Sequence, residues 1–144
     1  PPPSTAAPSN PGLKATWHEF KGNKCSEIEK APVNGTYPVE DVMIPKKVKG
    51  NIGLIIKGYF NAPQDDIYTF ALLSDDGSTL TIDSEQIVDN DGPHGPKEIV
   101  GQKALAKGYH PMELRYFDQN GGQLKLKVTG SDGKEIPFTH LYAH

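Results

Sequence analysis

The chain has too little cysteine to be cross-linked, because Cys25 is its single thiol among 144 residues. One cysteine cannot close an internal disulfide, and a zinc site needs further thiols or clustered histidines. Four of the five histidines, His18, His110, His140 and His144, show no metal-binding spacing. A chain of this length forms one domain that buries about two thirds of its unfolded surface, so it folds without disulfides or metal.

The sequence also lacks an excess of either charge and any long hydrophobic run. Its formal net charge is -3, with 15 basic and 18 acidic residues interspersed. No basic region indicates binding to nucleic acid or to an anionic membrane. The longest apolar stretches, near residues 52–56 and 70–73, are far shorter than the roughly 20 residues of a membrane-spanning helix. We therefore expect a monomer that neither binds nucleic acid nor inserts into a membrane.

Motifs typical of catalysis are missing as well. The sequence contains no nucleophile elbow, no helix motif with two histidines and no phosphate-binding loop. Glycosidic cleavage requires two carboxyl groups at a defined separation, and nothing in the sequence places a pair in that way. We therefore predict that the chain is not an enzyme.

The chain begins with a segment that has the composition of a spacer. Residues 1–11 are rich in proline, serine and alanine and cannot bury apolar surface. Such segments are extended, semi-rigid linkers that tether one module to another. We predict a linker over residues 1–11 and a single module over residues 12–144.

The module has the pattern of many short strands. Apolar and polar residues alternate in residues 123–129, where Leu124, Leu126 and Val128 point inward and Lys125 and Lys127 outward. No helical period persists over ten residues, and residues 21–49 are predicted as loop with one or two edge strands. Turn residues at regular spacing favour an all-β antiparallel sandwich. The predicted strands span residues 52–60, 66–74, 78–83, 86–88, 109–117, 123–129 and 135–138.

The densest polar cluster is the loop of residues 74–78, which lies between two predicted strands. Adjacent carboxylates such as Asp75 and Asp76 suit a hard cation, calcium above all, which takes oxygen ligands. Both can face one ion only if the backbone bends sharply, as a cis peptide would allow. The alternative is a plain turn, in which the Asp side chains accept backbone N–H bonds and Gly77 has positive φ.

A second polar loop covers residues 89–95 and contains Asp91 and His94. Its start is similar to a calcium-binding EF-hand loop, but Val100 stands where the twelfth-position glutamate is required. Flanking helices are also absent. The alternative is a turn built from Asp, Asn and Gly, in which His94 forms hydrogen bonds.

A third polar loop covers residues 118–122 and carries the side-chain amides of Gln119 and Asn120. Amides and carboxylates in loops at one end of a sandwich can bind sugar hydroxyls. The alternative is a glycine-built hairpin loop with no ligand.

Taken together, these motifs resemble the protective-antigen-type (PA14) domain family. The resemblance covers roughly residues 12–142. It rests on the ordered segments YTF (68–70), LSDDGSTLTID (73–83), VDNDG (88–92), HG (94–95), LAKGYHP (105–111), YF (116–117), GG (121–122) and LKL (124–126).

The resemblance implies a β-sandwich with a jelly-roll-like strand order and a sugar-binding loop region. In sugar-binding members, two consecutive aspartates joined by a cis peptide hold calcium, and calcium coordinates sugar hydroxyls. Asp75 and Asp76 match that pair. Gln119 and Asn120 match the amide region before the double glycine, with Gln119 the better match for a metal ligand.

The resemblance also implies a biological setting. It is strongest to copies appended to bacterial secreted glycoside hydrolases, β-hexosaminidases included. We therefore expect a secreted, periplasmic or cell-surface protein whose module binds glycan beside a covalently tethered catalytic domain. The expected glycan-binding residues are Asp75, Asp76, Asp91, His94, Gln119 and Asn120. A docking module that packs on its partner without binding sugar is the alternative.

Overall fold

The computed structural model describes residues 10–45, 48, 51–119, 122–137 and 141–143 of the chain. A 3-10 helix spans Cys25–Lys30. None of the helices in these ranges is long and apolar enough to cross a membrane. The strands are β1 (Asn10–Pro11), β2 (Leu13–Glu19), β3 (Val33–Val39), β4 (Asn51–Ala62), β5 (Asp66–Asp75), β6 (Ser78–Ile82), β7 (Glu85–Asn90), β8 (Lys97–Leu105), β9 (Gly108–Gln119), β10 (Gln123–Thr129), β11 (Glu135–Ile136) and β12 (Leu141–Ala143).

Two antiparallel sheets form a sandwich, which confirms the predicted fold class. The large sheet has the order β1-β12-β4-β9-β6-β7, with β2 joined to β4 and β3 to β2. The small sheet has the order β11-β10-β5-β8. Strands distant in sequence are therefore neighbours, as in β10 and β5, which pair over seven residues.

The core lies between the sheets, and its strands alternate between buried and more exposed residues. In β9, four alternate residues are at most 4 % exposed: His110, Met112, Leu114 and Tyr116. Leu80 and Ile82 of the neighbouring strand β6 pair with Leu114 and Met112 in the same sheet and are fully buried. The pleat places successive side chains on opposite faces, so a period of two in the sequence becomes one buried face.

The sandwich is closed along one side by contact between β7 and β8, which belong to different sheets. An ideal Cβ at Gly101 of β8 would lie 2.1 Å from the backbone oxygen of Ile87 in β7. Only glycine permits this approach without a shift of the backbone. The contact holds the end of β7, and the polar loop that follows it, beside the small sheet.

Strand β8 is absent from the sequence prediction. Its residues alternate between exposed and half-buried until Leu105, because β8 is an edge strand of the small sheet. The hydrophobic alternation that reveals a half-buried strand is therefore weak there. Residues 21–49, predicted as loop with edge pieces, contain the 3-10 helix and the edge strand β3.

The 3-10 helix covers part of the outer face of the large sheet. Cys25 and Ile28 are buried there with Phe20 against Ile55 and Phe117. The rings of Phe20 and Phe117 meet edge to face, with centroids 5.8 Å apart, a favourable geometry for aromatic pairs. This second small core lies beneath the end of β9 that leads into the third polar loop.

The chain termini are described in part. Asn10 and Pro11, the last two residues of the predicted linker, form β1 and pair with β12. Residues 1–9 of that linker lie outside the described residues. So does Phe138, the last residue of the final predicted strand, of which β11 contains residues 135 and 136.

Candidate functional site

The loop between β5 and β6 contains a cis peptide bond between Asp75 and Asp76. A plain turn, the alternative for this loop, would have positive φ at Gly77. Gly77 does not have positive φ in the structure. Gly77 is needed for space instead. An ideal Cβ there would lie 2.5 Å from the Phe117 ring and 2.7 Å from the nitrogen of Gly92.

The carboxylate of Asp76 joins all three polar loops. Its Oδ1 accepts a hydrogen bond from the backbone N–H of His94 (3.2 Å), and its Oδ2 accepts one from the N–H of Gln119 (3.0 Å). The loops singled out by sequence therefore meet at one side chain. A carboxylate has about four lone-pair positions, so each oxygen keeps capacity for a further ligand.

Asp75 lies beside Asp76 and has a different environment. Its side chain is half-buried and accepts no hydrogen bond from any residue in the described ranges. Its backbone oxygen lies 2.7 Å from the hydroxyl oxygen of Tyr116, which also lies 2.7 Å from Asp118 Oδ2. The single hydroxyl proton of Tyr116 can serve either acceptor. Burial, followed by the hydrogen bond and charge of Asp118, raises the pKa of Tyr116, so the phenol stays neutral.

A buried polar network supports the loop from below. Ser74 donates its hydroxyl proton to the backbone oxygen of Asp76 (2.8 Å), and its Oγ lies 2.6 Å from that of Ser78. Asn90 Nδ2 donates to the backbone oxygen of Lys97 (2.8 Å) and contacts Ser74 Oγ (3.3 Å). The two serines and the asparagine are at most 2 % exposed. Buried polar groups of this kind specify one loop conformation because their alternatives leave partners unsatisfied.

Asp91 is used to anchor the neighbouring helix. Its Oδ1 accepts hydrogen bonds from the backbone N–H groups of Cys25 and Gly92, each at 2.9 Å. Arg115 Nη1 donates to the backbone oxygen of the same cysteine (3.3 Å). The side chain of Asp91 thus links the second polar loop to the 3-10 helix.

The His94 imidazole closes its own loop. Its Nδ1 lies 2.7 Å from the backbone oxygen of Gly95, and its Nε2 lies 2.8 Å from that of Asn90. The side chain is half-buried. His94 therefore forms the side-chain hydrogen bonds that the turn alternative predicts for it. Its backbone N–H donates to Asp76.

The third loop contributes an exposed amide. The side chain of Gln119 is exposed, and its backbone is fixed by Asp76. Asn120, the other predicted amide, lies outside the described residues. An ideal Cβ at Gly122 would lie 1.9 Å from the backbone oxygen of Asp75, so glycine permits the return strand to pass against the aspartate pair.

The donor set fits calcium better than a transition metal. No group of three or more His, Cys, Asp and Glu residues that could hold a metal occurs in the part of the chain described. Calcium takes six to eight oxygen ligands and accepts amides, carbonyls and water as well as carboxylates. Asp75, Asp76 and the Gln119 amide offer oxygens of those kinds, whereas structural zinc sites are built from Cys and His ligands.

Sequence reasoning found the three loops but missed the residues beneath them. Ser74 and Ser78 stood in the loop motif without an assigned role, and Asn90 was treated as part of a turn. Tyr116 lies in the predicted strand of residues 109–117 and has no predicted role at the site. An asparagine at the buried position of β7 was the available signal, since burial of an amide requires hydrogen-bond partners.

Comparisons with known proteins agree with this architecture. A PA14 sugar-binding domain from an RTX adhesin superposes with a TM-score of 0.78 at 14 % identity, covering 94 % of this chain and all of that one. The epithelial adhesin 6 A domain of Candida glabrata, solved in complex with Galb1-3GlcNAc, superposes with a TM-score of 0.70 at 13 % identity, covering 97 % of this chain and 89 % of that one.

A third similar structure is the PA14 domain of the MpAFP antifreeze protein, with a TM-score of 0.78 at 13 % identity. The similarity covers 96 % of this chain and 94 % of that one. A comparison with curated protein sequences finds no match. The family model of the PA14 domain matches residues 9–138, and the chain therefore belongs to the PA14 domain family.

Proposed function

We propose that this chain is a non-catalytic carbohydrate-binding module whose site is the end of the sandwich around Asp75 and Asp76. The observation that carries the proposal is the convergence of three loops on Asp76, beside an aspartate whose carboxylate has no hydrogen-bond partner in the described ranges. Two related domains of the same fold are described as sugar-binding or solved with a disaccharide. That likeness supports glycan as the ligand class.

Calcium is the proposed cofactor of the site. Asp75, Asp76 and the side-chain oxygen of Gln119 would hold it, and the ion would supply open coordination positions for sugar hydroxyls. Calcium suits this role because its coordination number is flexible. Asp91 and His94 belong to the second loop at the rim, where side-chain hydrogen bonds can distinguish one sugar from another, and Asn120 stays a predicted sugar contact.

Weak binding is sufficient for such a module. Each neutral hydrogen bond contributes about 0.5–1.5 kcal/mol net, so a single sugar is expected to bind with a dissociation constant on the order of millimolar. Attachment to a catalytic domain raises the effective concentration of one near the other. The proposed setting is a secreted, periplasmic or cell-surface glycan-degrading protein to which the module is covalently tethered.

The binding experiment compares glycans at millimolar concentration with calcium and with chelator. Replacing Asp75 and Asp76 with alanine is expected to abolish binding, and Gln119→Ala is expected to weaken it. Asp132→Ala is the matched control, because it removes a carboxylate from the turn at the opposite end of β10. Binding that survives loss of both site aspartates would show that the site lies elsewhere.

Calcium is also expected to raise the melting temperature. A ligand that binds only the folded state, at about 100 times its dissociation constant, adds about 2.7 kcal/mol of stability. For a domain near 150 residues, that corresponds to about 5–10 °C. The Asp132→Ala control should retain the shift, and the double aspartate variant should lose it. Identical melting curves in calcium and chelator for the unaltered chain would contradict a calcium site.

Two exposed apolar residues favour the alternative function, in which the module docks on a partner without binding sugar. Ile67 of β5 and Val100 of β8 are 53 % and 54 % exposed and lie on the outer face of the small sheet, where Val100 pairs with Ala71. A module that bound no glycan in any condition, and whose Ile67→Ser variant lost association with its catalytic partner, would favour docking.

A further inference from the structure

The residues that the structure describes cover only part of the outer face of the large sheet. The 3-10 helix and Phe20 pack over the half that contains Ile55 and Phe117. The other half is an open groove of about 520 Å³ that crosses β2, β4, β9 and β6. The groove is separate from the aspartate site. Met112 in its wall and Asp118 at the site are six residues apart along β9, or about 20 Å at ~3.3 Å per residue.

Two lysines stand opposite each other in this groove. Lys14 of β2 and Lys57 of β4 are direct cross-strand partners, and both line the groove. Like charges in that position destabilise a sheet. Glu113 offsets this repulsion at Lys57 only, and local conflicts of this kind are typical of functional sites.

The lysines differ in their partners. Lys57 Nζ lies 3.5 Å from Glu113 Oε1, and the other oxygen of that carboxylate binds Arg115 Nε at 3.2 Å. Lys14 forms no ion pair with any residue in the described ranges. The charged groups that line the groove are two lysines and one glutamate, which leaves a net positive site on a chain whose formal charge is -3.

The other residues that line the groove can form the kinds of contact that a sugar makes. They include Tyr59 and the hydroxyl-bearing residues Thr81 and Ser84. Aromatic surface with a few placed polar groups is the usual composition of a small-ligand site. The floor is the face of paired strands, with β9 hydrogen-bonded to β4 and β6 on its two sides. A peptide therefore cannot bind here by adding a strand, because that mode requires a free sheet edge.

We propose that this groove is a second glycan subsite, one that binds the anionic group of an acidic saccharide through Lys14 and Lys57. The anion is a carboxylate or a sulfate ester, held between the two ammonium groups, while the sugar ring lies against Tyr59. An anion here also removes the cross-strand repulsion between the lysines. The subsite needs no calcium and does not depend on the aspartate site.

The test uses the whole chain in chelator, so that a calcium-dependent aspartate site binds no sugar. Failure of the groove proposal can then be told apart from failure of the proposed calcium site. The probes are a galacturonate trisaccharide, a sulfated galactose trisaccharide and neutral galactotriose, followed by amide chemical shifts. Either acidic probe is expected to shift the amides of Lys57, Thr81 and Met112, and the stronger of the two identifies the anion. The neutral trisaccharide is expected to leave them unchanged.

Variants and salt complete the test. Lys14→Gln is expected to weaken acidic-probe binding by about tenfold, the usual size for loss of a charged hydrogen bond. Lys125→Gln, an exposed lysine on the small sheet, is the matched control and should bind normally. Salt at 1 M should also weaken binding, because screening then acts within about 3 Å. Equal shifts from galactotriose, equal binding by tetraglutamate, or unchanged binding by Lys14→Gln would overturn the proposal.

Discussion

At the scale of single residues, the site depends on polar groups that are buried and almost fully paired. Asp76 accepts one backbone N–H on each oxygen, and Ser74 fixes its backbone carbonyl. Among the fully buried atoms of the site, Asn90 Oδ1 is an acceptor with no partner in the structure as described. An orphaned acceptor of this kind is uncommon in folded proteins.

Cys25 shows how burial controls a single group. The thiol is 1 % exposed, and burial, followed by the nearby charge of Asp91, raises its pKa. Because the unfolded thiol ionises near its ordinary value while the folded thiol stays neutral, its contribution to stability is present below that value. The contribution is lost as pH rises above about 8.5–9.

We therefore predict that Cys25→Ala flattens the alkaline limb of the stability profile. Between pH 7.5 and 9.5 the unaltered chain should lose about 1 kcal/mol more than the variant. Urea unfolding at the two pH values measures the difference, and other titrating groups cancel in the comparison. Equal losses in the two proteins would mean that the folded thiol ionises normally.

At the scale of secondary-structure elements, glycines decide which strands and loops can approach one another. Gly77 and Gly122 allow the site loops to pack against each other, and Gly101 allows β7 to meet β8. The contacts at Gly122 and Gly101 are with backbone oxygens, which a rotamer change cannot relieve. The site loops are therefore held in place by close approach of elements as well as by hydrogen bonds.

Gly101→Ala tests this closure. The added methyl would meet the backbone oxygen of Ile87, so we expect a loss of about 1–3 kcal/mol in the free energy of unfolding. Gly95→Ala is the control, since nothing lies within 4 Å of a Cβ there. Denaturant unfolding of both variants provides the measurement. A Gly101→Ala protein as stable as the control would show that the sheets can separate at no cost.

At the scale of the whole molecule, the sandwich presents two separate surfaces with different chemistry. The loop end gathers the aspartates, and the open half of the large sheet gathers lysines and an aromatic ring. A glycan chain that reached both would be bound more tightly than either surface binds alone, because the second contact is intramolecular. The rigid sheets fix the spacing between the two surfaces.

The whole chain is predicted to have no hydrolase activity. Neither surface contains an acid and a nucleophile that sequence reasoning could pair for glycosidic cleavage. The assay measures turnover of aryl glycosides of common hexoses and hexosamines by the purified chain. Turnover that persists through purification and disappears in a point variant of this chain would contradict the prediction.

The fold class, most of the strands and the three polar loops could be predicted from the amino-acid sequence alone. Hydrophobic alternation, as in β10, is a local property, so it can be predicted without coordinates, as can the Asp75–Asp76 motif. The tertiary structure decided which loops meet, because β5 and β6 contact β9 and β10 only through distant pairing. The structure was also needed to find β8, because its edge position weakens its hydrophobic pattern. The groove with the two lysines depends on tertiary structure as well. Lys14 and Lys57 are 43 positions apart in the chain and become neighbours only through the register of β2 on β4.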